Sequence, residues 1–184
     1  MLTAYERALK LYPHGDVRPK IIHCSLINDD LVRRMKALNV VPAESSTYAY
    51  DNSDKFHFYG EDMMSHTTAF RTLIDAGIVP SAGSDFSPGP FSPLIAIQGM
   101  VTRTGWNGET WGANQRISME ETLRVNTING AYNSCEEAIK GSITADKLAD
   151  FVVLADDLHM VDKGKIKHIQ IVRTVVGSST VYQA

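Results

Sequence analysis

The sequence predicts an α/β chain that ends in a small antiparallel sheet, and three observations carry that prediction. Short, nearly all-apolar runs alternate with helical periodicities through the first two thirds. Each run stops at a polar or Gly/Pro-rich turn, and beyond Gly141 the texture changes to β-branched, partly alternating stretches. Apolar runs without strict alternation fit parallel strands buried on both faces, whereas the alternating tail fits antiparallel pairing.

Leu2, Tyr5, Leu9 and Tyr12 share one helix face that Pro13 and Gly15 end. The run "KIIHCSLI" reads as a strand. It leads into a helix at "NDDLVRRMKALN", with Leu31, Met35 and Leu38 on one face and Asn28 or Asp29 as N-cap. "VVPAESS" is strand-like and opens into a polar and aromatic connection over residues 46–65, a long stretch for a compact domain. A helix at "HTTAFRTLIDAG" closes at Gly77, and "IVPSAGSD" is again a strand. Ser92 and Pro93 start the helix "PLIAIQGMVTR", and the loop "TGWNGETWGANQR" follows. Ser118 and Glu121 have capping-box spacing for one long helix toward Ser134. "DFVVLADD" and "KIKHIQIVRTVVGSSTVY", punctuated by Gly164 and Gly177, read as antiparallel strands. A soft boundary near residue 134 divides the chain into 1–133 and 134–184.

A chain of 184 residues with 43% hydrophobic content suffices for one core and a second small domain. A net charge of −3 with both signs interspersed gives no basic stripe for nucleic acid and no polybasic membrane patch, so neither partner is expected. Cys24 and Cys135 lie far apart without CxxC spacing, which argues against a disulfide framework and against a cysteine zinc site. A reducing, cytoplasmic setting is the expectation. The N-terminus lacks the apolar core of a signal peptide. Because the chain opens in mid-helix with no strand before it, it reads as cut from something larger.

In a parallel α/β arrangement chemistry sits at the carboxyl ends of the strands. His23 closes "KIIH", Glu44 to Ser46 close "VVPAES", and Asp85 closes "VPSAGSD" behind the small residues Ala82, Gly83 and Ser84. Imidazole nitrogen and carboxylate oxygen are both zinc ligands, and an aspartate can also act as a general base. Two other readings stand beside this one: His23 as a hydrogen-bonded structural residue, and Asp85 as a turn or N-cap residue in "SDFSPG".

Together "KIIHC", "AGIVPSAGSDFSPGPFSPLIAIQGMVTR", "ISMEETLRVNTINGAYNSCEEAIKGSITADKLADFVVLADD" and "VRTVVGSSTVY" resemble the C-terminal part of metal-dependent amidohydrolases, in the branch that contains the N-substituted formamide deformylases. The resemblance implies the last three strands and helices of a (β/α)8 TIM barrel, followed by a β-sandwich segment built from both chain ends. It implies a hydrolase of non-peptide, amide-like C–N bonds that uses zinc or another divalent metal. It matches His23 to the metal-binding histidine of the sixth strand. Asp85 matches the eighth-strand aspartate that binds metal and shuttles protons as the catalytic residue.

The same resemblance implies ligands that this chain lacks: a His-x-His pair, a bridging carboxylated lysine or glutamate, and a fifth-strand histidine. Ile22 stands where such enzymes often have a glutamate. The expectation is therefore a site completed elsewhere. Its alternative is a non-catalytic fragment or truncated subunit that self-associates or needs a partner chain to cover an open barrel. His14, His57, His66, His159 and His168 are expected as surface or packing residues. Tyr48, Tyr50, Phe56, Phe58, Tyr59, Met63 and Met64 either line a pocket for an apolar substrate group or pack as a loop, and Trp106 and Trp111 share that ambiguity or form an interface.

Overall fold

A computed structural model describes all residues, Met1–Ala184. Helix α1 (Leu2–Leu11) leads to strand β1 (Lys20–His23), and Tyr5 ties them by donating its hydroxyl to Lys20 O at 2.7 Å. Helix α2 (Asp29–Ala37) is capped by Asn28, whose side chain accepts from Leu31 N–H at 2.9 Å; Asp29 and Asp30 in its first turn and Arg34 and Lys36 in its last complement the helix dipole. Strand β2 (Val41–Ser45) follows.

The connection over residues 46–65 is not structureless. It winds into helix α3 (Tyr48–Asp51), a 3₁₀ stretch (Ser53–Phe58) and helix α4 (Gly60–Met64). Tertiary anchors replace propensity there: Ser46 N–H donates to Gly83 O at 2.9 Å and Thr47 Oγ1 donates to Ser84 O at 3.1 Å, pinning the first turn to the next strand. Helix α5 (Phe70–Asp75), a left-handed Gly77 and strand β3 (Ser81–Gly83) complete the repeat.

The three strands form a parallel sheet in the order β1-β2-β3, with His23 opposite Glu44 and Glu44 opposite Ala82. Pro42 in the central strand is tolerated for a geometric reason. Val41 N–H donates to Pro19 O on the β1 side, so the donorless nitrogen of Pro42 turns the other way, where pairing with β3 begins only at Ala43.

Helix α6 (Pro93–Thr102) has proline at its first position but no side-chain bond from Ser92. One long helix was expected after Ser118; two form, α7 (Met119–Asn126) and α8 (Ile128–Asn133). Thr127 breaks the run at φ −127 and ψ −92 while its hydroxyl donates back to Leu123 O. Asn129 and Asn133 then fasten α8 to Pro80 O and Ser81 Oγ, each at 2.8 Å.

The tail forms a separate antiparallel sheet of β4 (Phe151–Leu154), β5 (Ile171–Val176) and β6 (Ser179–Gln183). Gly177 and Ser178 both have positive φ, as a two-residue hairpin turn requires. "KIKH", expected as strand, is instead a 3₁₀ stretch (Lys163–His168). The cause is packing: Ile166 and Ile169, three apart, bury with Leu158 against Leu94, Ile97 and Val101 of α6. A second core cluster holds Leu2, Ile27, Met35, Val40, Ala69, Leu73 and Ile78, and a third joins Phe70, Ala96, Met100, Ile117 and Val125. No helix is long and apolar enough to cross a membrane.

Candidate metal centre at the strand ends

His23 and Asp85 come together. His23 ends β1 and Asp85 follows β3 by two residues, on opposite sides of the central strand, and His23 Nε2 lies 3.2 Å from Asp85 Oδ1. The two side chains therefore lean toward each other over the end of β2. Backbone conformation makes this possible: His23 (φ 70), Cys24 (φ 35) and Asp85 (φ 56) all occupy the left-handed region, which costs a non-glycine residue free energy. The turn after Asp85 is closed by Gly89 N–H, which donates to Asp85 O at 2.8 Å. A Cβ on Gly89 would meet Ser84 O at 1.9 Å, so only glycine fits that crossing. Both functional side chains remain accessible, His23 at 56% and Asp85 at 34%.

In register with His23 on β2 is Glu44, 1% exposed, with neither carboxylate oxygen bonded to any protein group. Burial pushes its carboxyl well above the usual range, opposed in part by the positive charge of Arg103. Arg103, itself buried and left-handed at the end of α6, donates to the carbonyls of Met64, Thr67, Thr68 and Trp111, and burial brings its guanidinium down to about 10. Cys24 is pushed up to about 12 by burial and then by Glu44, which makes it a packing residue rather than a nucleophile at neutral pH. Burial also raises the Asp51 carboxyl, and the nearby charge of Asp85 adds to that rise.

Of these, Glu44 was marked by its place at a strand end. Asp51 and Arg103 were missed, the first because it sits in an aperiodic segment and the second because a charged residue after a helix reads as a solvated cap. The five remaining histidines are all exposed. In the aromatic segment Phe56 and Met64 are buried, while Tyr48, Phe58, Tyr59 and Met63 are exposed; Trp106 is exposed and Trp111 half-buried.

The donor set suits one cation in part. Two ligands on a single tetrahedral zinc, at bond lengths of about 2.0–2.2 Å, stand about 3.4 Å apart, close to the 3.2 Å between His23 Nε2 and Asp85 Oδ1. No third histidine, cysteine or carboxylate of the chain joins them.

The model of the amidohydrolase family matches residues 1–182. The chain belongs to the amidohydrolase family. Across its full length this family member is 27% identical to the N-substituted formamide deformylase of Arthrobacter pascens, of which it covers 34%, and over 98% of its length it is 27% identical to YtcJ of Bacillus subtilis (strain 168), of which it covers 36%. The chain thus spans about a third of the length of these two relatives. In fold it is similar to an uncharacterized metal-dependent hydrolase from Pyrococcus horikoshii OT3, with a TM-score of 0.71 at 21% identity over 88% of this chain and 34% of that one.

Proposed function

We propose that this amidohydrolase chain carries His23 and Asp85 as two protein ligands of a divalent metal, zinc being the first choice, in an enzyme that hydrolyses an amide-like, non-peptide C–N bond. The observation that carries this reading is the 3.2 Å approach of Nε2 to Oδ1 across an intervening strand, held by three left-handed residues. The name of the Arthrobacter relative supports an N-substituted amide as substrate class. A bound metal supplies Lewis acidity, which polarises the substrate carbonyl and lowers the pKa of water to about 7.

The chain's own residues do the rest. His23 offers the Nε2 lone pair, which requires the proton on Nδ1. Asp85 accepts a proton from the attacking water as oxygen bonds to the carbonyl carbon. It returns that proton to the nitrogen as the C–N bond breaks. Residues 1–133 form the last part of a (β/α)8 barrel in this reading, and 134–184 form the sandwich segment. A cytoplasmic setting accords with the free thiols of Cys24 and Cys135.

A second reading is that the chain is a non-catalytic portion which needs a partner chain or a second copy to complete the barrel. It is favoured by Ile22, 71% exposed on an edge strand, and by the open outer edges of β1 and β3. A catalytic zinc takes three protein ligands, and this chain brings two together. Metal content per chain after zinc exposure and removal of free ion tests the assignment, measured alongside the assembly state. Zinc that is retained by the wild type and lost in the His23→Ala, Asp85→Ala double variant is the expected result. No retained zinc in any assembly state would overturn it.

A further inference from the structure

Asp51 closes the short helix α3 that follows the central strand, and its contacts tie it to the loop that carries Asp85. Its N–H donates to Thr47 O at 3.0 Å, so Thr47 and Asp51 stand four apart on one side of the same turn. Thr47 meets that loop directly. Fully buried, it donates its hydroxyl to Ser84 O at 3.1 Å, and a Cβ on Gly89 would come within 3.2 Å of its Oγ1. Other bonds fasten the turn as well: Ser46 Oγ donates to Gly83 O at 3.0 Å, Trp106 N–H donates to Tyr50 O at 3.1 Å, and Lys167 Nζ donates to the Tyr50 hydroxyl. Asp51 is therefore held in a fixed relation to Asp85.

The carboxylate of Asp51 is incompletely satisfied. Its Oδ1 is sealed from solvent and has no hydrogen-bond partner. Burial raises this carboxyl and the charge of Asp85 adds to the rise, while the exposed Lys55, engaged with Asn52 Oδ1 at 2.8 Å, offsets it in part. The two carboxylates thus feel each other, and a divalent cation near them would relieve the repulsion. Charge balance agrees: a neutral imidazole and one carboxylate leave a divalent ion with one positive charge uncompensated, and a second carboxylate cancels it.

We propose that Asp51 supplies the second negative charge of the His23–Asp85 cation site, acting from outside the ligand shell rather than as a third ligand. This rests on the metal-site reading above. Carboxylates placed outside the ligands of a metal typically change its affinity by about 10–100-fold.

Zinc affinity of the purified chain, measured by competition with a chromophoric chelator, tests the proposal together with thermal unfolding in the absence of zinc. Asp51→Asn keeps the size of the side chain and removes its charge. Its zinc Kd is expected to rise at least about tenfold, and its zinc-free melting temperature to stay level or increase, because a buried charge and a like-charge repulsion are both gone. Asp51→Glu, which restores the charge, should recover part of the affinity. An unchanged Kd in Asp51→Asn would overturn the proposal and leave the metal-site reading intact. A lower zinc-free melting temperature in that variant would also overturn it, by assigning Asp51 to the hold on α3. A wild-type chain that binds no zinc would sink the metal-site reading and this inference with it.

Discussion

The two three-stranded sheets of this molecule differ in composition and in burial. In the parallel sheet the central strand β2 lies between β1 and β3, and four of its five residues are buried, including Glu44. In the antiparallel sheet every residue of β6 is exposed, and Val175 on β5 is the one fully buried strand residue. Burial in the first sheet is concentrated in this central strand, since three of the four residues of β1 are exposed and β3 buries one residue. The second is tied to the rest mainly through the 3₁₀ stretch that packs on α6. The lesson is that β-branched composition marks the tail sheet as strands without burying it, whereas the central parallel strand, with a single β-branched residue, is the one that is buried.

Matched substitutions test this contrast. The largest difference is expected for side-chain truncation: Phe70→Ala, in the buried cluster with Met100 and Val125, should cost about 3–5 kcal/mol, whereas Val181→Ala on exposed β6 should stay within about 0.5 kcal/mol. Denaturant midpoints at constant m report both. Comparable losses would mean that the tail sheet is covered in solution by another chain.

Glycine replacement comes next. Gly89→Ala places a Cβ against Ser84 O and should cost about 3 kcal/mol, with loss of zinc retention because the turn holds Asp85. Gly177→Ala has open space around it and pays only for its φ of +55, about 1–2 kcal/mol. Metal content and thermal unfolding on the same samples separate the two effects.

Glu44 sharpens the comparison through pH. Its carboxyl titrates above the usual range when folded, so the folded state binds a proton that the unfolded chain has already released. The stability tied to this group is fully present below the ordinary carboxylate range and is lost as pH rises through the raised folded value. Glu44→Gln should therefore raise the melting temperature at pH 8 more than at pH 5. An unchanged pH slope would show that water or a partner group reaches the carboxylate. The smallest expected effect is Ser118→Ala, which removes the bond from Glu121 N–H at 3.1 Å and should cost about 1 kcal/mol, whereas Ser92→Ala, where no side-chain bond exists, should cost almost nothing.

Much of the fold was legible in the sequence because it is written in short-range chemistry. Asn28 caps α2, Ser118 and Glu121 form their capping box, Gly77 ends α5 with a left-handed turn, and Gly177 opens the final hairpin. His23, Glu44 and Asp85 were legible as strand ends for the same reason, since apolar runs stop where the backbone leaves the sheet. The helices between residues 46 and 65, the break at Thr127 and the 3₁₀ stretch at Lys163–His168 were not. Each is set by a partner distant in sequence: Gly83 and Ser84, Pro80 and Ser81, and the face of α6.

By itself the sequence determined the α/β alternation, the strand ends and the residue types able to bind a metal, because periodicity, capping and turn preference act over a few residues. Only the tertiary structure decided that His23 and Asp85 meet, that Glu44 is buried without a partner, and that Arg103 is buried among carbonyls. Those outcomes depend on strand order and on which helix covers which face. Such long-range placement is settled by the burial of apolar area over the whole fold rather than by any local run of residues.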